Sequence, residues 1–86
     1  MANDTNKPKP VKQYRRRAIG VSIWRKEVLV QGETQVFYSA TASRAYTKDE
    51  GKTFEYSDSF DVDDLPVVAT LMQLAFMWIT NEQSKG

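Results

Sequence analysis

The chain has 86 residues, with no cysteine and no histidine, so it is one small domain with neither a disulfide nor an imidazole to support it or to do chemistry. That composition removes the usual zinc sets and most nucleophile-plus-base pairs, and points away from an enzyme, from a bound cofactor and from a small-molecule substrate. The net charge of +1 hides a division: residues 1–26 hold eight basic side chains against Asp4, and residues 27–86 hold four against ten acids. Such asymmetry is a composition signal for a polyanionic partner, although basic arms also serve solubility or contact acidic proteins.

In chain order, residues 1–16 read as a disordered basic arm. Polar residues dominate its start and "KPKP" favours extended backbone. The opening "MANDTNKPKP" lacks the apolar core of a secretory signal, and no apolar run approaches the ~18–20 residues of a membrane span, so the expected location is cytoplasmic.

A single β-β-β(-β)-α domain is expected over 17–82, with a tail at 83–86. From Arg17 to Arg25 the residues alternate. Ile19, Val21 and Ile23 take one face; Ala18, Gly20, Ser22 and Trp24 take the other. "VLV" at 28–30 either extends this strand after a bulge or starts another, and "QGET" is a turn with Gly32 free to adopt positive φ.

"TQVFYSATASRAYT" reads as a second long strand. Val36, Tyr38, Ala40, Ala42, Arg44 and Tyr46 share one face; Phe37, Ser39, Thr41, Ser43 and Ala45 share the other. The small Ala40 and Ala42 look like a floor for something bulky. "KDEG" then makes a hairpin turn, and "KTFEYSDSF" at 52–60 returns, with Phe54, Tyr56 and Phe60 in one phase.

"DVDDLPVVATLMQLAFMWITNEQ" is a helix, capped by Asp63 or Asp64, with Pro66 in its first turn. Clustered acids at such a place (Asp58, Asp61, Asp63, Asp64) read as caps rather than as a catalytic carboxylate pair. The helix carries two apolar stripes: Leu65, Val68, Met72, Ala75, Phe76 and Ile79, and then Val67, Leu71, Leu74 and Trp78. A helix lying on one sheet needs one stripe. The second stripe therefore predicts a homodimer, with Val67, Leu71, Leu74 and Trp78 at its interface; the alternative is a curved sheet that wraps more of the helix.

The chemistry-bearing set is basic and aromatic. Arg15, Arg16, Arg17, Trp24, Arg25 and Lys26 lie on or beside the first strand; Arg44, Tyr46, Lys48 and Lys52 surround the second hairpin. Cations for phosphates and flat rings for unpaired bases are what a sequence-tolerant binder of single strands needs. Each has a plainer reading: "RRR" as a charged segment, Trp24 as cover for a core edge, Tyr38 and Tyr56 as core-rim residues. Duplex DNA is the poorer fit, because the helix has no Lys or Arg before Lys85.

"GVSIWRKE", "SRAYTKDEGKTF" and "SDSFDVDDLPVVATLMQLAFMWI" together resemble the transcriptional coactivator domain known as positive cofactor four and, more loosely, the plant Whirly proteins, over residues 17–80. The resemblance implies a twisted antiparallel meander followed by one C-terminal helix. It also implies a dimer joined partly through its helices, with single-stranded DNA on the strands in transcription or in replication and repair. On this resemblance Tyr46 takes the place of the base-stacking aromatic before the turn. Arg25 is the nearest match to a backbone-contacting base, and a second aromatic platform falls near Lys26, with Trp24 two residues away. The returning strand departs from the family pattern, carrying Glu55 and Asp58 where bases are usual.

The sequence thus predicts an α+β domain that binds single-stranded nucleic acid, DNA rather than RNA, as a homodimer near the nucleoid. A dimeric protein-interaction scaffold with a basic arm for an acidic partner is the alternative.

Overall fold

The computed structural model of the protein describes residues 9–85. It consists of strands β1 (Lys12–Arg16), β2 (Ile19–Val30), β3 (Glu33–Thr47) and β4 (Phe54–Ser57), a 3₁₀ turn at Val62–Asp64 and helix α1 (Leu65–Ser84). The strands form one antiparallel sheet in the order β1-β2-β3-β4, with α1 laid on one face, as the alternation and the helix period predict.

Several boundaries differ from the sequence reading. Lys12–Arg16 is not part of an arm: it pairs with β2, matching Tyr14 with Val21 and Arg16 with Ile19, and residues 1–8 of the expected arm lie outside the described residues. Edge pairing satisfies the backbone there, and Tyr14 turns its ring onto the core, a gain that composition alone conceals. "VLV" continues β2 in unbroken register to Val30, without a bulge. The returning strand is only Phe54–Ser57, because pairing with β3 ends at Arg44 opposite Ser57. The helix runs through Ser84, beyond the expected domain end.

Turn chemistry fixes the register. Gln31 and Gly32 both have positive φ (53° and 83°), the pattern of a two-residue type I′ turn that matches strand twist. The next loop is longer than "KDEG". It spans residues 48–53, with Gly51 at φ 94°, and is closed by the Thr53 amide donating to the Asp49 carboxylate at 2.8 Å.

The core sits between α1 and the middle of β2. Ile19, Val21 and Ile23 are buried against Leu71 and Ala75, with Tyr14, Tyr38, Ala40, Ala42, Phe60, Val67, Val68, Met72, Trp78 and Ile79 packed around them. Ala40 and Ala42, paired with Ile23 and Val21, are the floor on which the helix lies. The Trp78 ring meets Tyr38 edge-on, centroids 6.1 Å apart.

Helix entry begins a turn earlier than expected. Asp64 donates its amide to the Asp61 carbonyl at 2.9 Å and returns a side-chain oxygen to the Asp61 amide at 3.2 Å. Arg44 grips both acids, at 3.3 Å to Asp61 and 3.0 Å to Asp64, and so ties the end of β3 to the start of α1.

The phase of α1 corrects the stripe assignment. Leu71 is buried in the chain's own core, and Val67 and Trp78 are half-buried there; of the four residues expected at a dimer interface, only Leu74 is exposed. The line through Leu71, Ala75 and Trp78 faces the sheet, with Leu71 and Ala75 buried against the β2 row. The segment Val62–Ser84 also meets the length and composition of a membrane span, which the sequence reading did not expect. Here one side of it packs on the sheet.

Two leucines of one sequence stripe should therefore behave differently. Leu71→Ala is expected to cost about 2–5 kcal/mol in urea unfolding, and Leu74→Ala under about 1 kcal/mol. Equal losses would mean that a different side of the helix faces the sheet.

Candidate nucleic-acid interface

Side chains alternate between the two faces of the sheet, so the register decides which residues can act together. Residues in register with Ile19, Val21 and Ile23 lie on the helix-covered face: Lys12, Tyr14 and Arg16 on β1, Arg25 and Glu27 on β2, Tyr38, Arg44 and Tyr46 on β3, and Glu55 on β4. The other parity forms an open face, since α1 is the only element laid against the sheet among the described residues.

The open face has a floor of small and hydroxyl-bearing residues: Gly20, Ser22, Ser39, Thr41, Ser43 and Ala45. Rings stand at both ends. Trp24 lies beside Ser39, and its indole Nε1 donates to Thr41 Oγ1 at 2.9 Å, which ties the half-buried ring across β2 and β3. Phe37 stands next to it, directly opposite Lys26. Tyr56 is paired with Ala45, and Phe54 with Thr47. Phe37, Phe54 and Tyr56 are 50%, 60% and 65% exposed, unusual for aromatics with no covering layer. Six residues of β3 separate the Trp24 end from the Tyr56 end, or ~20 Å at strand rise. Arg15 completes the near side: a methyl group on Gly20 would stand 3.6 Å from its guanidinium.

The structure brings together three of the ten sequence-predicted binding residues on this face: Arg15, Trp24 and Lys26. Arg17 is at the β1–β2 turn, with φ 56°, and Lys48 and Lys52 are in the β3–β4 loop. Arg16, Arg25, Arg44 and Tyr46 belong to the covered face. Several of the cations are already engaged. Arg25 pairs with Glu27 at 2.7 Å, and that bond, followed by one to Tyr38, raises its already high pKa. Arg44 holds Asp61 and Asp64. Lys48 pairs with Glu55 at 3.3 Å, and Tyr46 donates its hydroxyl to the same carboxylate at 3.2 Å. Among the described residues, no carboxylate forms an ion pair with Arg15, Arg16, Arg17, Lys26 or Lys52.

Phe37, Phe54 and Tyr56 are the residues that sequence reasoning missed, Tyr56 being read as core rim. For Phe37 the signal was present: a strand face that carries Ser39, Thr41 and Ser43 cannot be the core face, so a ring in that parity is on the surface. Phe54 and Tyr56 are placed only by the β3–β4 register.

A separate cleft of about 330 Å³ lies on the covered side, lined by Arg25, Val36, Tyr38, Glu82 and Gln83. Its one cation is held by Glu27, which leaves it little to offer an anion. No group of three or more metal-ligating side chains is present among the described residues. Compared with known protein families, curated proteins and solved structures, the chain matches none.

Asp49 sets the shape of the loop that carries Lys48 and Lys52. The Thr53 amide bond holds its carboxyl below the usual range. A depressed carboxyl contributes fully above its unfolded pKa and loses that contribution as pH falls through the folded value. Hydrogen-exchange protection of the Thr53 amide should therefore fall on acidification below the ordinary carboxylate range, and Asp49→Ala should abolish it at neutral pH.

Proposed function

We propose that the protein binds single-stranded nucleic acid, DNA or RNA, with little sequence preference, on the open face of its sheet. The observation that carries this reading is the uncovered surface itself: Trp24 and Phe37 at one end, Phe54 and Tyr56 at the other, a floor too small to obstruct a strand, and Arg15 and Lys26 beside it. Unpaired bases offer flat faces to such rings whatever their identity, and the cations meet the phosphates. The helix offers nothing to a duplex groove: its surface is apolar or neutral as far as Glu82.

A second reading, a scaffold that captures an acidic protein through its basic N-terminal segment, draws support from the engagement of Arg25, Arg44 and Lys48 by the chain's own acids. The two readings separate on Trp24→Ala, which removes a ring from the sheet face and leaves every basic residue of the N-terminal segment in place. Sheet-borne binding weakens, whereas capture of an acidic partner by the basic segment is unchanged.

The direct test is a fluorescence-anisotropy titration of a single strand and of its duplex at two salt concentrations. The single strand should bind more tightly, and affinity should fall steeply with salt. Trp24→Ala and Tyr56→Ala should each weaken binding by about 5- to 150-fold, the equivalent of one stacked base. Arg15→Ala and Lys26→Ala should each lower the salt slope by about 0.7, as one lost phosphate contact does on a single strand. Arg25→Ala and Lys48→Ala should change it less. Absence of single-strand binding at low salt would sink the proposal.

A further inference from the structure

The middle of the open face carries two hydroxyls that receive hydrogen bonds and give none within the fold. Ser22 and Thr41 are directly paired across β2 and β3, so their side chains stand ~5 Å apart at Cβ on the same side of the sheet. Each already accepts from a neighbouring side chain: Gln13 Nε2 donates to Ser22 Oγ at 3.1 Å, and the Trp24 indole donates to Thr41 Oγ1 at 2.9 Å. A hydroxyl has one proton to give and two lone pairs to receive with. The accepted bond occupies a lone pair on the side of the incoming N–H, which leaves the proton to be given elsewhere. Among the described residues, neither hydroxyl donates to another protein atom. Thr41 is exposed and Ser22 half-buried, so both can be reached from the face. The setting selects what they would take. Glu33 is the one acid that the strands place on this face, and it lies eight residues along β3 from Thr41, ~26 Å away. Along β3 the pair is two residues from the Trp24 row and four from the Tyr56 row, ~7 and ~13 Å. It therefore lies between the rings on which bases would stack, where a bound strand presents its backbone.

We propose that Ser22 and Thr41 together hold an internucleotide phosphate of the strand that crosses the face. The inference rests on the nucleic-acid reading above and adds to it the residues that grip the backbone between the two ring ends. A phosphodiester has non-bridging oxygens that share its charge, so one phosphate can accept from both hydroxyls. An O–H donated to an anion is among the stronger hydrogen bonds. Neutral donors also differ from cations in what they do to the ion atmosphere. A lysine or arginine that neutralises a phosphate releases its counterion, and the affinity so gained is lost as salt rises. A hydroxyl neutralises nothing, so the affinity it adds persists at high salt. Gln13 and Trp24 are positioning residues for this pair, and Trp24 thereby serves twice: its ring stacks, and its indole N–H turns the Thr41 proton toward the ligand.

Anisotropy titrations of the full chain over a series of salt concentrations test it, with the shortest oligothymidylate that binds. About six nucleotides are expected, since ~20 Å between the ring ends is about six steps at a stacked rise of ~3.4 Å. Ser22→Ala should weaken binding about 10-fold and leave the salt slope at the parent value, with the thermal midpoint retained. Ser22→Thr, which keeps the hydroxyl, should bind as the parent does. Thr41→Val should cost more than Ser22→Ala, because it also removes the acceptor that ties Trp24. Strands carrying a single methylphosphonate linkage, uncharged at that phosphate, should reveal one interior position at which the parent loses affinity and the Ser22→Ala chain loses less. Parent-like binding by Ser22→Ala, a salt slope lower by about 0.7 as for a lost cation, or equal methylphosphonate losses in the two chains would overturn the phosphate contact and leave the nucleic-acid reading standing. Failure of the parent to bind any oligothymidylate at low salt would remove both.

Discussion

How close α1 can come to the β2 row of Ile19, Val21 and Ile23 decides most of what this chain presents to its surroundings. Close approach needs small residues on both sides of the contact, and they are present: Ala75 on the helix, Ala40 and Ala42 on β3. With alanines at the point of contact, Leu71 and Trp78 can flank it instead of propping the layers apart. Across the sheet, the row Tyr14, Val21, Ala42 grades from large to small. The Tyr38–Trp78 edge contact and the Arg44 clasp on Asp61 and Asp64 hold the helix further along its length. Once this seat is fixed, so is the rotation of the helix, which leaves Leu65, Leu74, Phe76 and Met77 exposed.

The same seat sorts the charges. In the sequence, the acids of the second half look able to repel a polyanion, and those of the returning strand depart from the pattern of the family it resembles. In the fold, Glu55 belongs to the covered face, where it takes up Lys48 and the Tyr46 hydroxyl; Glu27 takes Arg25, and Asp61 and Asp64 take Arg44. The strands carry only Arg15 and Lys26 against Glu33 on the open face, and Glu33 stands at the far end of the β2–β3 hairpin. Surface ion pairs of this kind add little stability each. Their larger effect is on which cations stay available, and it removes Arg25, Arg44 and Lys48 from a set that their types alone suggest.

Element types were legible because their periods are strong. Branched residues at 19, 21 and 23, alternation through 34–47 and a long run without glycine or proline before Gly86 leave little choice of structure. What stayed hidden depended on partners. Whether Lys12–Arg16 forms a strand turns on an edge of β2 being free and on Tyr14 finding the core, and neither is visible in a segment crowded with charge. Which stripe of α1 faces the sheet depends on the fit of Ala75 against β2, a matter of shape that hydrophobicity cannot rank, since both stripes are apolar. Half of the candidate site was within reach: the parity of Ser39, Thr41 and Ser43 marks Phe37 as exposed. Placing Phe54 and Tyr56 also needs the pairing of Tyr56 with Ala45, and a six-residue loop in place of a tight turn makes that register unreadable in advance.

Both outer surfaces follow from the two-layer build of the described residues. The described residues measure only 18 Å along their shortest axis, the thickness of one sheet and one helix. A two-layer stack has two outer sides, and the described residues add no third layer to either. Evolution can make such sides polar, as it has not done here: rings occupy the outer side of the sheet, and leucine, methionine and phenylalanine the outer flank of the helix. The two differ in kind. The helix flank is uncharged, and its Met72 and Ile79 lean on the chain's own core. The sheet face is interrupted, with rings separated by hydroxyls and edged by cations, so it joins apolar and cationic groups where the flank has only apolar ones.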